Sequence, residues 1–162
     1  MNKILALDQA SRVSGWAVFI DGNLIEWGHL DTPQEELGIR LLKIREFIIN
    51  KVQEWDIDTI AFEDIQLQSS VQSNVKTYKV LANVYGVVLE TATELNKEYK
   101  IIHSQVWKSY LQIKGKNRPD QKKNAKEYVV KTYGIKPTQD EADAICIGTY
   151  VCANEIGHDW SE

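Results

Sequence analysis

The sequence predicts a mixed α/β fold, a five-stranded sheet whose first three strands run antiparallel, flanked by helices on both faces. Three observations predict it. Short β-forming runs at 3–8, 14–20 and 23–30 follow one another with only turn signals between them. Two further runs, 58–63 and 99–103, are each preceded by a long amphipathic segment of helical period. The composition, 43% hydrophobic and 26% charged over 162 residues, suits one globular domain spanning 1–162.

Lys3–Asp8 is a short apolar run ending on an acid, as in a strand buried on both faces. Ser14–Ile20 is rich in β-formers, and Asp21-Gly22-Asn23 is a hairpin turn that returns the chain along 23–30. Thr32-Pro33 with Glu35 and Glu36 reads as a helix start, with a cap, a first-turn proline and acids at the positive end of the dipole. Leu37, Leu41, Ile44, Ile48 and Val52 then repeat at helical spacing to about Trp55. Asp58–Glu63 is the fourth strand, adjacent and parallel to the first through a right-handed crossover. The Ser/Gln-rich stretch 65–74 reads as an exposed loop. The helix expected over 75–97 is apolar on more than one stripe, which predicts packing against both the sheet and a second copy of the chain. Tyr99–His103 is the fifth strand, and Ser104 is expected to cap a short helix to about Leu111. Lys114–Asp120 (KGKNRPD) reads as a loop before a basic helix over 121–133, and Thr138 caps the last helix.

Charge is distributed unevenly. Residues 97–136 carry 11 Lys/Arg against 3 Asp/Glu, a local balance of +8, while the remainder stands at −12. A solvated helix face and a phosphate-binding surface both account for this, because phosphate contact depends on local cations rather than net charge. Cys146 and Cys152 are six apart, unsuited to a local disulfide or a shared metal, and His29, His103 and His158 share no ligand spacing. No apolar run approaches the roughly 20 residues of a membrane span, and Asp8 interrupts the apolar opening too early for a secretory leader. A cytoplasmic protein is expected.

Asp8 and Glu63 end the two parallel strands, at the edge where open α/β sheets place their sites. Asp140 and Asp143, three apart, share one face at the start of the last helix. Taken singly, an acid after a strand is more often a turn former, and two acids in a first helical turn complement the dipole. Four converging carboxylates would repel one another unless cations intervened. An all-oxygen ligand set suits Mg²⁺ or Mn²⁺, and two such ions suit in-line phosphodiester hydrolysis. Asp64 is a rival to Glu63, but alternation points it to the opposite face.

Leu5-Ala6-Leu7-Asp8-Gln9-Ala10-Ser11-Arg12-Val13-Ser14-Gly15-Trp16 resembles the opening of the RuvC-type Holliday junction resolvases of the RNase H-like superfamily. Ile60-Ala61-Phe62-Glu63 is similar to their second acidic motif, and Asp140-Glu141-Ala142-Asp143-Ala144 to their closing one. The motifs fall in family order across nearly the whole chain. The resemblance implies a phage-encoded, Mg²⁺-dependent endonuclease of DNA recombination and repair, acting on four-way junctions and also on three-way and flap structures; the apolar excess of the 75–97 helix and the two-fold symmetry of a junction add the expectation of a homodimer through that helix. The resemblance also implies two Mg²⁺ per site, with Mn²⁺ able to substitute, held by Asp8, Glu63, Asp140 and Asp143. It further implies a catalytic lysine at Lys122, with Lys123 its close rival, and a DNA-contacting lysine at Lys108; Lys114, Lys116, Arg118 and Lys123 complete the expected DNA-binding set.

Two departures stand out. The family's Pro-Gly after the first acid is Gln9-Ala10, a turn expected to survive on Ser11 and Gly15. The family's junction-wedging aromatic has no counterpart before Tyr78, the stretch reading Gln66-Leu67-Gln68, which implies relaxed sequence preference. Rival readings are an actin-like or sugar-kinase ATPase, disfavoured by length; an RNase H or YqgF-type resolvase, with the same metals and another substrate; and an inactive junction binder, disfavoured by four intact acids.

Overall fold

Alternation along the central strands decides which residues meet which helices. A computed structural model describes residues 2–65 and 74–155 of the chain. The described residues form strands β1 (Lys3–Asp8), β2 (Val13–Ile20) and β3 (Asn23–Asp31), helix α1 (Leu37–Trp55), strand β4 (Thr59–Glu63), helix α2 (Asn74–Glu94) and strand β5 (Glu98–Ile102). Helices α3 (Ser104–Tyr110), α4 (Arg118–Tyr133) and α5 (Gln139–Glu155) follow. The sheet order is β3-β2-β1-β4-β5; β1–β3 are antiparallel and β1 and β4 adjacent and parallel, as expected, and β5 adds in parallel beside β4.

The sheet separates two apolar cores. Ile4, Ala6, Ala17, Phe19 and Ala61 face α3, α4 and α5. Leu5, Leu7, Trp16, Val18, Ile60 and Phe62 face α1 and α2, meeting Ile44, Ile48, Val52, Val84, Val88 and Ala92. Small residues on the first face let α5 lie close across β1 and β2. A Cβ added at Gly148 of α5 would stand 2.1 Å from the Phe19 ring, so the contact admits no side chain. No described helix is long and apolar enough to cross a membrane.

Several expected boundaries move, each for a tertiary reason. Thr32 does not cap α1. It is buried, and its hydroxyl donates to the carbonyl of Ser11 at 2.6 Å while its N–H donates to that of Arg12 at 2.7 Å, tying the end of β3 to the β1–β2 loop. The helix therefore starts only at Leu37, capped by Glu36 without a side-chain bond, so Glu35 and Glu36 precede it. α2 ends at Glu94, where Asn96 takes a left-handed turn (φ 57°). His103 rather than Ser104 caps α3, its Nδ1 accepting from the N–H of Gln105 at 3.2 Å. α4 begins inside the stretch read as a loop, because Asn117 accepts from the N–H of Asp120 at 3.0 Å and Pro119 stands in the first turn. Thr138 and Glu141 form a reciprocal capping box at α5. The Gln66-Leu67-Gln68 stretch lies outside the described residues.

Candidate active site

Period two sets the first two acids. Asp8 lies two residues beyond Ala6, and Glu63 two beyond Ala61, so both project from the face that α5 covers. The other two acids arrive with the helix. Asp8 pairs across β2 with Gly15, and a Cβ there would stand 1.8 Å from the carbonyl oxygen of Asp140. Glycine thus lets the first turn of α5 rest on the sheet backbone beside Asp8. Asp8, Glu63, Asp140 and Asp143 all line one cavity of about 450 Å³.

The β1–β2 loop closes without the expected glycine. Ser14, not Ser11, does this: its hydroxyl accepts from the N–H of Ala10 at 3.0 Å and donates to that residue's carbonyl at 2.8 Å. Gln9 has a role the sequence reading missed. Its side-chain amide donates to the carbonyl of Glu63 at 2.6 Å and accepts from the N–H of Glu63 at 3.2 Å, locking the ends of β1 and β4 together. Trp107, buried on α3, was missed as well. Its indole N–H donates to Glu63 Oε2 at 3.1 Å. Gln139 likewise donates to Asp143 Oδ1 at 3.1 Å.

Burial makes Asp8, Glu63 and Asp143 hold their protons more tightly than usual. Asp8 is raised well above the ordinary carboxylate range, first by burial and then by Asp143, Glu63 and Asp140, with Lys122 opposing. Asp143 is raised to about 7, by burial and then by Glu63, with Gln139, Lys108 and Lys122 opposing. Burial also raises Glu63, against the Trp107 hydrogen bond and the charges of Lys108 and Arg118. Among the described residues, no group of three or more His, Cys, Asp or Glu side chains stands placed to hold a metal ion. The donor chemistry does fit a hard divalent ion, with carboxylate oxygens only and buried negative charge that a cation would relieve.

Of the expected cationic residues, Lys108, Arg118 and Lys122 line the cavity. Lys108 donates to Gln121 Oε1 at 3.3 Å and stands 5.4 Å from the Trp107 ring centre. Arg118 belongs to the first turn of α4, not to a loop, and so reaches the site on a rigid element. Lys114, Lys116 and Lys123 are exposed and do not line the cavity. Asp64 also lines the cavity, while its charge acts on Tyr85 on the α2 side of the sheet, the face to which alternation points it. Its Oδ1 accepts from the N–H of Ile65 at 2.8 Å.

The architecture is similar to that of Thermus thermophilus RuvC in complex with a Holliday junction substrate, at 16% identity and a TM-score of 0.78, covering 97% of each chain. A second T. thermophilus RuvC structure matches at 20% identity and a TM-score of 0.74, covering 96% of each chain. Fowlpox virus resolvase, solved with Holliday junction DNA, matches at 14% identity and a TM-score of 0.55, over 95% of this chain and 99% of that one. At these identities the likeness is one of fold, the RNase H-like fold of RuvC. No curated protein matches the chain by sequence. A family model does match, over residues 1–153, and the chain belongs to the family described as Lactococcus phage M3 protein.

Proposed function

We propose that this chain is a divalent-metal-dependent endonuclease that nicks branched DNA and resolves four-way junctions by phosphodiester hydrolysis. The observation that carries the proposal is the convergence of Asp8, Glu63, Asp140 and Asp143 on one cavity whose other wall holds Lys108, Arg118 and Lys122. Acids alone would repel a phosphate. Acids beside three cations suit a site that takes both metal and polyanion. The fold likeness to resolvases solved with junction DNA supports the choice of substrate.

The four carboxylates would hold Mg²⁺, with Mn²⁺ as its substitute. Two such ions, when bound, supply Lewis-acid stabilisation to the attacking and leaving oxygens. The chain's own residues do the rest. Gln9 and Trp107 fix Glu63 from its backbone and from its carboxylate. Lys122 offers charge to the phosphate as negative charge builds in the transition state. Lys108 and Arg118 hold backbone phosphates at the cavity wall, and the exposed Lys114, Lys116 and Lys123 extend that surface outward.

Resolution needs two nicks, and a two-fold dimer matches the symmetry of a junction. Val75 and Tyr78 of α2 are exposed (48% and 39%), as are Tyr99 and Ile101 on β5, against which α2 packs. A homodimer through this surface is expected to appear in sedimentation equilibrium as twice the chain mass at micromolar concentration. A monomer unchanged by junction DNA would refute it. The family's phage description supports action in the cytoplasm of a bacterial host.

The test is cleavage of labelled four-way, three-way, flap and linear duplex DNA in Mg²⁺. Symmetric paired nicks across the four-way junction are expected, with three-way and flap structures also cut. Cleavage confined to an RNA–DNA hybrid would overturn the junction reading in favour of an RNase H.

A further inference from the structure

We infer that His29 is a positioning residue for the two helix-borne acids, acting through Glu141; its consequence for catalysis rests on the metal-nuclease reading above. His29 lies on edge strand β3, paired with Gly15 across from the site. Its Nδ1 stands 2.7 Å from Glu141 Oε2. The other oxygen, Oε1, accepts from the N–H of Thr138 at 3.0 Å, while the Thr138 hydroxyl accepts from the N–H of Glu141 at 3.3 Å. A carboxylate only accepts, so Nδ1 is the donor.

Glu141 therefore joins three things: the capping box of α5, the edge of the sheet, and the turn that carries Asp140 and Asp143. One residue along a helix is about 100° of rotation. Glu141 is buried and does not line the carboxylate cavity, whereas its neighbours Asp140 and Asp143 do. Two consequences follow. Anchoring residue 141 fixes the rotation of the helix, and with it the directions of residues 140 and 143. Occupying both oxygens of Glu141 also keeps a fifth carboxylate, next in sequence to Asp140, from turning toward the cavity. The contact of Asp140's carbonyl with Gly15 sets the height of the helix over the sheet; the His29 bond sets its rotation. The capping box alone cannot do this, because it is internal to the helix end.

The test uses His29→Leu, His29→Asn, Glu141→Gln and the His29→Leu/Glu141→Gln double variant of the full chain. The side chain of His29 is 38% exposed, and glutamine keeps the size of the buried Glu141 and an oxygen for Thr138, so the fold is expected to hold, which thermal unfolding checks. His29→Leu is expected to weaken Mn²⁺ binding to the DNA-free protein, read by calorimetry, by roughly 10-fold or more, the scale on which groups that orient metal ligands act. Cleavage of a prebound four-way junction should slow by a similar factor, with junction affinity unchanged. His29→Asn, whose amide nitrogen falls near the place of Nδ1, should recover most of both losses. The double variant should lose no more than either single one.

Parental Mn²⁺ affinity in His29→Leu, failure of His29→Asn to recover it, or additive losses in the double variant would each overturn the inference. If the parent chain neither binds Mn²⁺ nor cuts branched DNA, the nuclease reading falls by itself. Hydrogen exchange at the amides of residues 140–143 then decides the positioning role. Faster exchange in His29→Leu supports it, and unchanged exchange overturns it.

Discussion

Replacing Asp143 by asparagine should abolish cleavage and yet make the metal-free protein more stable at pH 8. In the folded chain this carboxyl is raised from the ordinary 3.8 to about 7, by burial first and by Glu63 second. A carboxyl that binds its proton more tightly when folded costs stability once it must ionise. The unfolded chain releases the proton near pH 4 and the folded chain only near pH 7. Stability therefore falls as pH rises through that window and is flat above it. At about 1.4 kcal/mol per tenfold change in proton affinity, the ceiling is about 4 kcal/mol. Coupling to Asp8, whose proton is held partly by Asp143, spreads that cost over both acids, and local relaxation reduces it. A gain of about 2 kcal/mol at pH 8 is the reasoned expectation. Asparagine keeps an oxygen for the Gln139 amide, so no hydrogen bond is lost.

The assay is urea unfolding of both proteins in EDTA at pH 4.5 and pH 8. The difference should be about 2 kcal/mol at pH 8 and only about 0.5 kcal/mol at pH 4.5, where the folded parent is neutral at this position but its unfolded chain has already released most of that proton. Millimolar Mg²⁺ should then stabilise the parent more than the variant, since ligand that binds only the folded state raises its stability. A variant no more stable than the parent at pH 8, or equally stabilised at both pH values, would refute the account of buried, mutually repelling acids.

Three other outcomes are expected. Lys122→Ala should lower the single-turnover rate on prebound junction by roughly 10², with little change in binding, while Lys123→Ala stays near the parent; the reverse pattern would assign the wrong lysine. Arg118→Ala or Lys116→Ala should weaken junction binding and reduce the slope of log K against log salt by about one, checked by titration at several salt concentrations. Trp107→Phe removes the hydrogen bond that holds the proton affinity of Glu63 down. The rising limb of the pH–rate profile should therefore move to higher pH, and an unmoved profile would show that the bond does not act on that carboxylate.

The fold and the four acids were legible because their signals are local. Strand ends, helical period and the spacing of Asp140 and Asp143 are each contained within a few residues. The residues that hold the acids in place were not legible, because each acts across the fold. Gln9 meets Glu63 from 54 residues away, Trp107 meets it from 44, and His29 meets Glu141 from 112. No periodicity marks them. The one sequence signal available was substitution within a recognisable motif. Gln9-Ala10 stands where glycine was expected, and the geometry makes Gln9 a clamp between strands.

Apart from the end of α2, the misread boundaries gather at the same end of the sheet, which has a physical reason. Thr32 is chemically a good helix cap, but the carbonyls of Ser11 and Arg12 compete for it and win. Ser104 is likewise a good cap, displaced by the His103 ring beside the cavity wall. Capping preferences are worth about 1 kcal/mol, a margin that one tertiary hydrogen bond can match. Where strand ends, loops and helix starts crowd together to hold several buried charges, such bonds are dense. Local rules should fail there first. Thr138 shows the converse. Its cap is reinforced by Glu141, which is anchored in turn by His29, so local and tertiary preferences agree and the expected start of α5 holds.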